Sequence, residues 1–366
     1  MIEKKMRSGI TTGTCAAAAT KASILAWQGL FPDSVEVFSP QGQVIKVAIS
    51  ASAATLAGGN AAVIKDAGDD PDITNGTEIR AEVYISDEIG LTIKAGQGVG
   101  VVTKPGLSIS VGEPAINPGP RQMITQAATD VLPAGKGAVI TISIPEGERL
   151  AKKTLNPILG ITGGLSVIGT TGIVEPMSEE AFKSSLSPQI SVIKALGYSS
   201  IVFVPGKIGQ DIACRSGLPA EAIAQTSNFI GYMLENAVTH GMKEVLIFGH
   251  LGKVVKVAAG IFHTHNRVAD ARLETIAAYL AAAGAPQAMI CSILECTTTE
   301  AAAEIIKEYQ YESVYKTLAQ RATARAERYT FNELKVGTVI VTLRGEILGM
   351  DDGAEEIGAK LGWHIK

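Results

Sequence analysis

Four of the five histidines in this 366-residue chain fall between residues 240 and 265. Histidine changes charge close to neutrality, so ring nitrogens gathered on one stretch suit hydrogen bonding or acid/base work at the edge of a cleft. Structural histidines with satisfied hydrogen bonds are the ordinary alternative. The cluster ends in His263-Thr264-His265, followed by Asn266-Arg267 and, one turn on, Asp270. A His-x-His pair can bind zinc, but no third ligand stands nearby. Cys15, Cys214, Cys291 and Cys296 are not spaced as a zinc set either, so no metal site is expected. His250 lies in Gly249-His250-Leu251-Gly252-Lys253, directly after the strand-like run Glu244–Phe248. Loops at strand carboxyl ends are where open α/β sheets bind ligands. Lys253 and Lys256 are spaced to share a helix face if that segment is helical.

The densest small-residue segment is earlier. Residues 160–172 hold five glycines (Gly160, Gly163, Gly164, Gly169, Gly172) and four hydroxyls (Thr162, Ser166, Thr170, Thr171). Backbone of that kind can approach a ligand closely. It lacks the lysine of a phosphate-binding P-loop, which weakens a phosphate reading. Thr11-Thr12-Gly13-Thr14 opens an Ala-rich run. Free N–H groups at such a helix start could receive a carboxylate or phosphate, against the plainer reading of helix capping. Asp69, Asp70 and Asp72 of Gly-Asp-Asp-Pro-Asp could face a cation or a positive ligand, although Asp-Pro-Asp is also common turn chemistry. Gly96-Gln97-Gly98-Val99-Gly100 imitates a dinucleotide loop but is not followed by a helix, so a bulged turn is the better reading. Cys15, at a helix start among alanines, reads as a packed small residue.

These candidates need elements to carry them. The chain is 46% hydrophobic and 19% charged, enough for sizeable cores and incompatible with general disorder. A net charge of −4 argues against a general nucleic-acid binder, and 5% aromatic residues argue against a base-stacking platform. Four cysteines in a chain this long do not make a disulfide framework, and no segment reads as a signal or a membrane span. A soluble cytoplasmic protein is expected. Up to residue 150, the helix Thr14–Leu30, short strands at 34–38, 44–49, 61–65, 78–85, 90–94 and 138–144, and a helix from Pro120 to Val131 predict an α+β domain. From 151 to 366, strands at 165–168, 172–174, 200–204, 244–248 and 337–343 alternate with helices at 178–196, 219–240, 266–283, on through 327, and near 354–361. That rhythm predicts an α/β domain with a doubly wound, mainly parallel sheet. It would carry both the Gly-rich loop and the His-Thr-His segment, with the hinge in 145–164.

Taken together, the motifs resemble a known family. GITTGTCAAAATKA, GDDPDIT, GQGVGVVTKPGL with GEPAINPGPRQMI, LAKKTLNPILGITGGLSVIGTTGIVEPMS and GHLGKVVKVAAGIFHTHNRVADAR run in order from residue 9 to 272. Their combination resembles the cobalt-precorrin-5B C(1)-methyltransferase family of anaerobic cobalamin biosynthesis. The resemblance implies S-adenosylmethionine-dependent methylation of C-1 on a cobalt-containing corrin precursor, giving cobalt-precorrin-6A. It gives no firm catalytic residue. On that footing His265 and His263 are the expected proton-handling groups. Gly160, Gly163, Gly164, Ser166, Gly169, Thr170 and Thr171, with Asp69 and Asp70, are expected at the donor. Thr11, Thr12, Gly13, Thr14, Arg121, Lys153, His250, Lys253 and Arg267 are expected around a flat macrocycle fringed with carboxylates. Cobalt arrives inside the substrate, and the protein is expected to hold no metal of its own. The expected partner is the small corrinoid, with no nucleic acid, no membrane and a possible homo-oligomer. Two other readings fit the loops less fully: a nucleotide-dependent phosphoryl-transfer enzyme and a non-catalytic corrinoid carrier.

Overall fold

The computed structural model describes residues 6–363. It is a mixed α/β protein with several sheets, and its chain divides into two compact units, 1–179 and 180–366.

The first unit is built on a five-stranded sheet in the order Ala51–Thr55, Gly58–Ile64, Glu78–Ser86, Gly137–Ser143, Leu91–Ala95. Its pairs are antiparallel except the last, which is parallel. In Glu78–Ser86, Ile79, Ala81 and Val83 are buried while Arg80, Glu82 and Tyr84 face outward, the period-two pattern of a sheet with one covered face. The cover includes the helix Thr12–Trp27, nearly all of whose residues are buried. Its alanines allow close approach. A side chain at Gly59 would stand 2.1 Å from the Ser23 carbonyl oxygen, and Ser23 Oγ donates to Ala81 O at 2.9 Å. The helix begins two residues earlier than expected because Thr11 caps it, its hydroxyl accepting from Thr14 N. A second helix, Pro118–Thr129, opens on proline.

The expected division near residue 150 is displaced. The segment after it turns back into the first unit: Ile161–Thr162 pairs with Val101–Val102, and Ile173–Val174 pairs with Gly9–Ile10. The Gly-rich loop therefore belongs to the first unit and the His-Thr-His segment to the second.

The second unit holds a five-stranded sheet in the order Ile223–Gln225, Ser200–Val204, Glu244–His250, Lys335–Val341, Ile347–Met350. The first four strands are parallel and the last antiparallel. Ser200–Val204 is buried throughout, as a strand covered on both faces must be. Three expected helices differ. Residues 178–196 form two helices, Glu179–Leu186 and Pro188–Ala195, because Pro188 cannot donate into a continuing helix. Residues 219–240 contain the strand Ile223–Gln225 before the helix Ile230–Thr239, since buried Ile223 and Ala224 complete the sheet edge. The helix expected from Asn266 starts at Arg272. The six residues before it are held as a loop by side-chain bonds described below.

Candidate functional site

In the first unit, Thr11–Thr14 and the Gly-rich loop do come together, but they spend their polar groups on each other. Gly13 N and Thr12 Oγ1 both donate to Ile168 O, at 3.0 and 3.1 Å. Thr12 Oγ1 in turn accepts from Ile168 N at 2.9 Å. Thr14 Oγ1 donates to Gly172 O at 2.5 Å, and Thr11 N donates to the same oxygen. Thr11, Thr12, Gly13 and Thr14 are all buried. The helix start expected to receive a substrate carboxylate is thus already capped by protein.

The glycines answer to the same packing. A Cβ on Gly164 would lie 2.0 Å from Gly98 O, one on Gly169 would lie 2.2 Å from Thr11 Oγ1, and one on Gly160 would run into Lys104. Leu165 N and Gly100 N bond across to Gly98 O and Leu165 O, so the GQGVG and GITGG segments knit one another's backbones. Ser166 Oγ donates to Asn156 Oδ1. Gly163 is different: it is exposed, has φ +81° and has nothing within 4 Å of an added Cβ. Thr170 and Thr171 lie toward the surface as well. The expected donor cradle is a close-packed knot with a thin open rim at Gly163, Thr170 and Thr171.

The aspartates divide in the same way. Asp69 accepts from Arg7 N and Asp70 from Met177 N. Asp72 accepts from buried Lys65 at 2.6 Å and from Thr74 N and Oγ1. Burial would raise the Asp72 carboxyl, yet the bonds from Lys65 and Thr74 hold it below the usual carboxylate range. Arg121 lies 3.7 Å from Glu113, and Lys153 is exposed.

The second unit offers a different arrangement. From its first strand, Ser200–Val204, the chain passes to a strand on one side (Ile223–Gln225) and then to one on the other (Glu244–His250). Where strand order reverses, loops leave the carboxyl ends in opposite directions and open a crevice. Here Pro205-Gly206 follows the first of these strands, and Gly249-His250 ends the other; the two lie close together, since a Cβ on Gly249 would meet Pro205 Cγ at 3.0 Å. Gly206 opens the helix Lys207–Arg215 and has open space where a side chain would be. His250 caps the helix Leu251–Ala258, and its Nδ1 is buried with no hydrogen-bond partner among the described residues. Burial pushes this imidazole's pKa down, and Lys253 and Arg272 add to that effect against Glu300. A neutral ring has one donor and one acceptor nitrogen, and an orphaned buried ring nitrogen of either kind is a place where a ligand's polar group would be satisfied.

Beside it stand two lysines. Lys253 Nζ donates to Asn228 Oδ1 at 2.6 Å and to Thr264 O at 3.1 Å. Lys256, fully buried, donates to Thr264 O at 3.2 Å, Asn266 Oδ1 at 2.7 Å and Ala269 O at 2.9 Å. Burial lowers both ammonium pKa values, and Lys256 lowers that of Lys253 further. Thr264 N also donates to Asn228 O. These bonds fix His263-Thr264-His265 beside the strand ends. His263 stacks on Phe229 with centroids 4.9 Å apart. His265 is exposed, and its Nδ1 accepts from Arg267 N at 3.1 Å. Of the expected site residues, His250, Lys253, His263, His265 and Arg267 therefore gather in this unit. Among the described residues no cluster of His, Cys, Asp and Glu suits a metal ion.

Sequence reasoning passes over Gly206 and Asn228 and leaves Lys256 outside the site. Pro205-Gly206-Lys207 sits between a buried strand and a helix, which is the context GQGVG lacks. Lys256 is a charge inside an otherwise apolar helix face, Val254, Val255, Val257 and Ala258 being buried around it. Asn228 carries no local signal, because only the fold brings it to Lys253.

Comparison with known proteins agrees over nearly the whole chain. Residues 1–176 match the CbiD family and residues 263–352 match the CbiD C-terminal domain. The cobalt-precorrin-5B C(1)-methyltransferase of Moorella thermoacetica is 50% identical over 98% of this chain and 99% of its own. The protein of that name from Desulfitobacterium hafniense is 46% identical over 98% and 93%. The crystal structure of the cobalamin biosynthesis protein CbiD from Archaeoglobus fulgidus is 30% identical, covering 74% of this chain and 84% of that one, with a TM-score of 0.40.

Proposed function

The chain belongs to the CbiD family, and we propose that it shares the activity for which its relatives are named, methylation of C-1 of cobalt-precorrin-5B in cobalamin biosynthesis. The observation that carries this reading is 50% identity across essentially the full length of a protein so named. We read the donor as S-adenosylmethionine and the product as cobalt-precorrin-6A, with cobalt held by the macrocycle.

When bound, S-adenosylmethionine supplies an electrophilic methyl on a sulfonium that departs as a neutral thioether. The second unit, read as a doubly wound α/β sheet, has groups that fit it. Gly206 gives the backbone room and opens a helix whose N–H groups suit a carboxylate. His250 Nδ1 is an unmet ring nitrogen that a polar group of the donor, such as a ribose hydroxyl, would satisfy. The knot at 160–172 fits less well, since its glycines are filled by neighbouring backbone. Methyl transfer is an in-line displacement, so what the protein must supply is chiefly orientation. We read exposed Arg267 as a group that holds carboxylates at the rim of the macrocycle, with Lys253 adding positive charge beside it while its ammonium is bonded to Asn228 and Thr264. With Nδ1 accepting from Arg267 N, a neutral His265 carries its proton on Nε2 and can donate a hydrogen bond from there to the macrocycle; for the ring to take up a proton, Nδ1 must leave the Arg267 N–H.

The test is incubation of the full-length protein with methyl-labelled S-adenosylmethionine and cobalt-precorrin-5B, followed by mass analysis. One labelled methyl on the corrinoid supports the reading. Corrinoid bound with the donor unconsumed would mean a carrier and would overturn it.

A further inference from the structure

The second unit contains a buried cation that its fold alone does not explain. Lys256 is fully buried, and among the described residues no carboxylate stands within ion-pair distance of it. The acidic side chain whose charge acts on it, Asp270, is engaged by Arg272 through two bonds, at 2.7 and 2.8 Å. Taking an ammonium out of water without a counter-ion is costly, and an apolar side chain would fill the site more cheaply. What Lys256 has instead is three neutral acceptors for its three N–H groups: Thr264 O, Asn266 Oδ1 and Ala269 O. All three lie on the loop that carries His265, and the first is the residue between the two histidines. That loop is otherwise irregular, and several of its residues are exposed. The following helix starts at Arg272, just beyond this loop.

We infer that Lys256 is a positioning residue for methyl transfer: its buried ammonium pins the 264–269 loop at three points and so sets where His263 and His265 present their rings. The inference rests on the proposed C-1 methylation, because only a reaction at those rings makes their placement matter. Lys256 touches no substrate. It acts through the loop, and Lys253 steadies the same Thr264 carbonyl from the neighbouring turn.

Three variants test it: Lys256→Met, Asn266→Ala and Asn266→Asp. Asn266 is exposed, so its variants keep the fold even if loss of Lys256 does not. With wild-type protein active, Asn266→Ala should lower kcat about tenfold and Lys256→Met about 100-fold, with KM for the donor little changed, as expected for misplacement of a reacting group. Asn266→Asp keeps an acceptor for Lys256 and should restore most of kcat. The ring C–H signals of His263 and His265 in the NMR spectrum should shift in Lys256→Met and Asn266→Ala and return toward wild type in Asn266→Asp. Turnover unchanged in Asn266→Ala and Lys256→Met would overturn the inference. So would equal losses in the two Asn266 variants that track thermal stability with no change at the histidine signals. If wild-type protein transfers no methyl, the parent reading fails and takes this role with it, and shifted histidine signals then report loop order alone.

Discussion

As sequence, the Gly- and Thr-rich knot of the first unit and the strand-end loops of the second unit are equally promising, yet they are opposites in structure. In the knot, Thr12 both gives and receives a hydrogen bond at Ile168, and Thr14 closes on Gly172. At the strand ends, among the described residues, His250 Nδ1 has no partner and buried Lys256 has no counter-ion. Two buried lysines repeat the contrast: Lys65 is neutralised by Asp72, whereas Lys256 is met, among the described residues, by carbonyls and an amide. Glycine density marks where backbone approaches something closely, and that something can be more backbone. Unmet polar groups are the better sign of a site, because burying them has no structural benefit.

The sharpest way to break this contrast is at Gly164. Its Cβ position lies 2.0 Å from Gly98 O, so Gly164→Ala must move backbone and should cost more than about 4 kcal/mol, leaving little folded protein. Gly163, one residue away and open, should cost only about 1–2 kcal/mol as alanine, the ordinary penalty of its positive φ. Circular dichroism melts of the pair decide the matter. If Gly164→Ala melts like wild type, the knot is looser than described and regains its claim to a ligand.

Next in size is Asp72→Asn. It leaves the buried Lys65 ammonium uncompensated and should cost about 3–5 kcal/mol in urea unfolding. Because the folded Asp72 carboxyl titrates below its ordinary 3.8, its contribution is full above that value and is lost as pH falls through the lower folded one. The difference in stability between wild type and variant should therefore shrink on acidification below about 3.8. A difference that is flat with pH, or that grows, would show that the pair is not what holds the turn.

The two regions should separate again under smaller changes. Thr12→Ala removes a doubly bonded hydroxyl and should cost about 1–2 kcal/mol without altering donor affinity. His250→Ala deletes an atom that satisfies nothing, so it should cost no more than about 1 kcal/mol. It should, however, weaken S-adenosylmethionine about tenfold by calorimetry, the loss of one hydrogen bond made only to the ligand. If both variants bind the donor equally well, the donor does not meet His250.

Part of this is legible in the sequence. The Ala-rich helix, the alternation in Glu78–Ser86 and the buried run Ser200–Val204 are readable because each is a local pattern with one physical cause. The His-Thr-His segment and Lys253 likewise stand out by type and spacing. Long-range return is not readable. Nothing local says that Ile173–Val174 pairs with Gly9–Ile10, and so sequence reasoning puts the Gly-rich loop in the wrong unit. The short strand Ile223–Gln225 hides inside a helical-looking stretch because three residues carry too little periodicity. Lys256 is visible as a charge, but only the folded loop shows what its three donors meet.

The smallest effect on the fold belongs to His265, and it isolates chemistry from structure. The residue is exposed, and its ring accepts a hydrogen bond from the Arg267 N–H, so His265→Ala should change stability by less than about 0.5 kcal/mol. Donor and corrinoid affinities should hold, because His250 and Lys253 are untouched. If the ring moves a proton during methyl transfer, kcat should nonetheless fall about 10²- to 10⁴-fold, the usual worth of a positioned acid or base. Single-turnover measurement with labelled donor reads this directly. Asparagine at 265 sharpens it further, since its amide can stand in for the imidazole as a hydrogen-bonding group but cannot exchange a proton near neutrality. Turnover kept by His265→Asn and lost by His265→Ala would make His265 a binding group. Turnover kept by both would move the proton step to His263, which stays stacked on Phe229 in either variant.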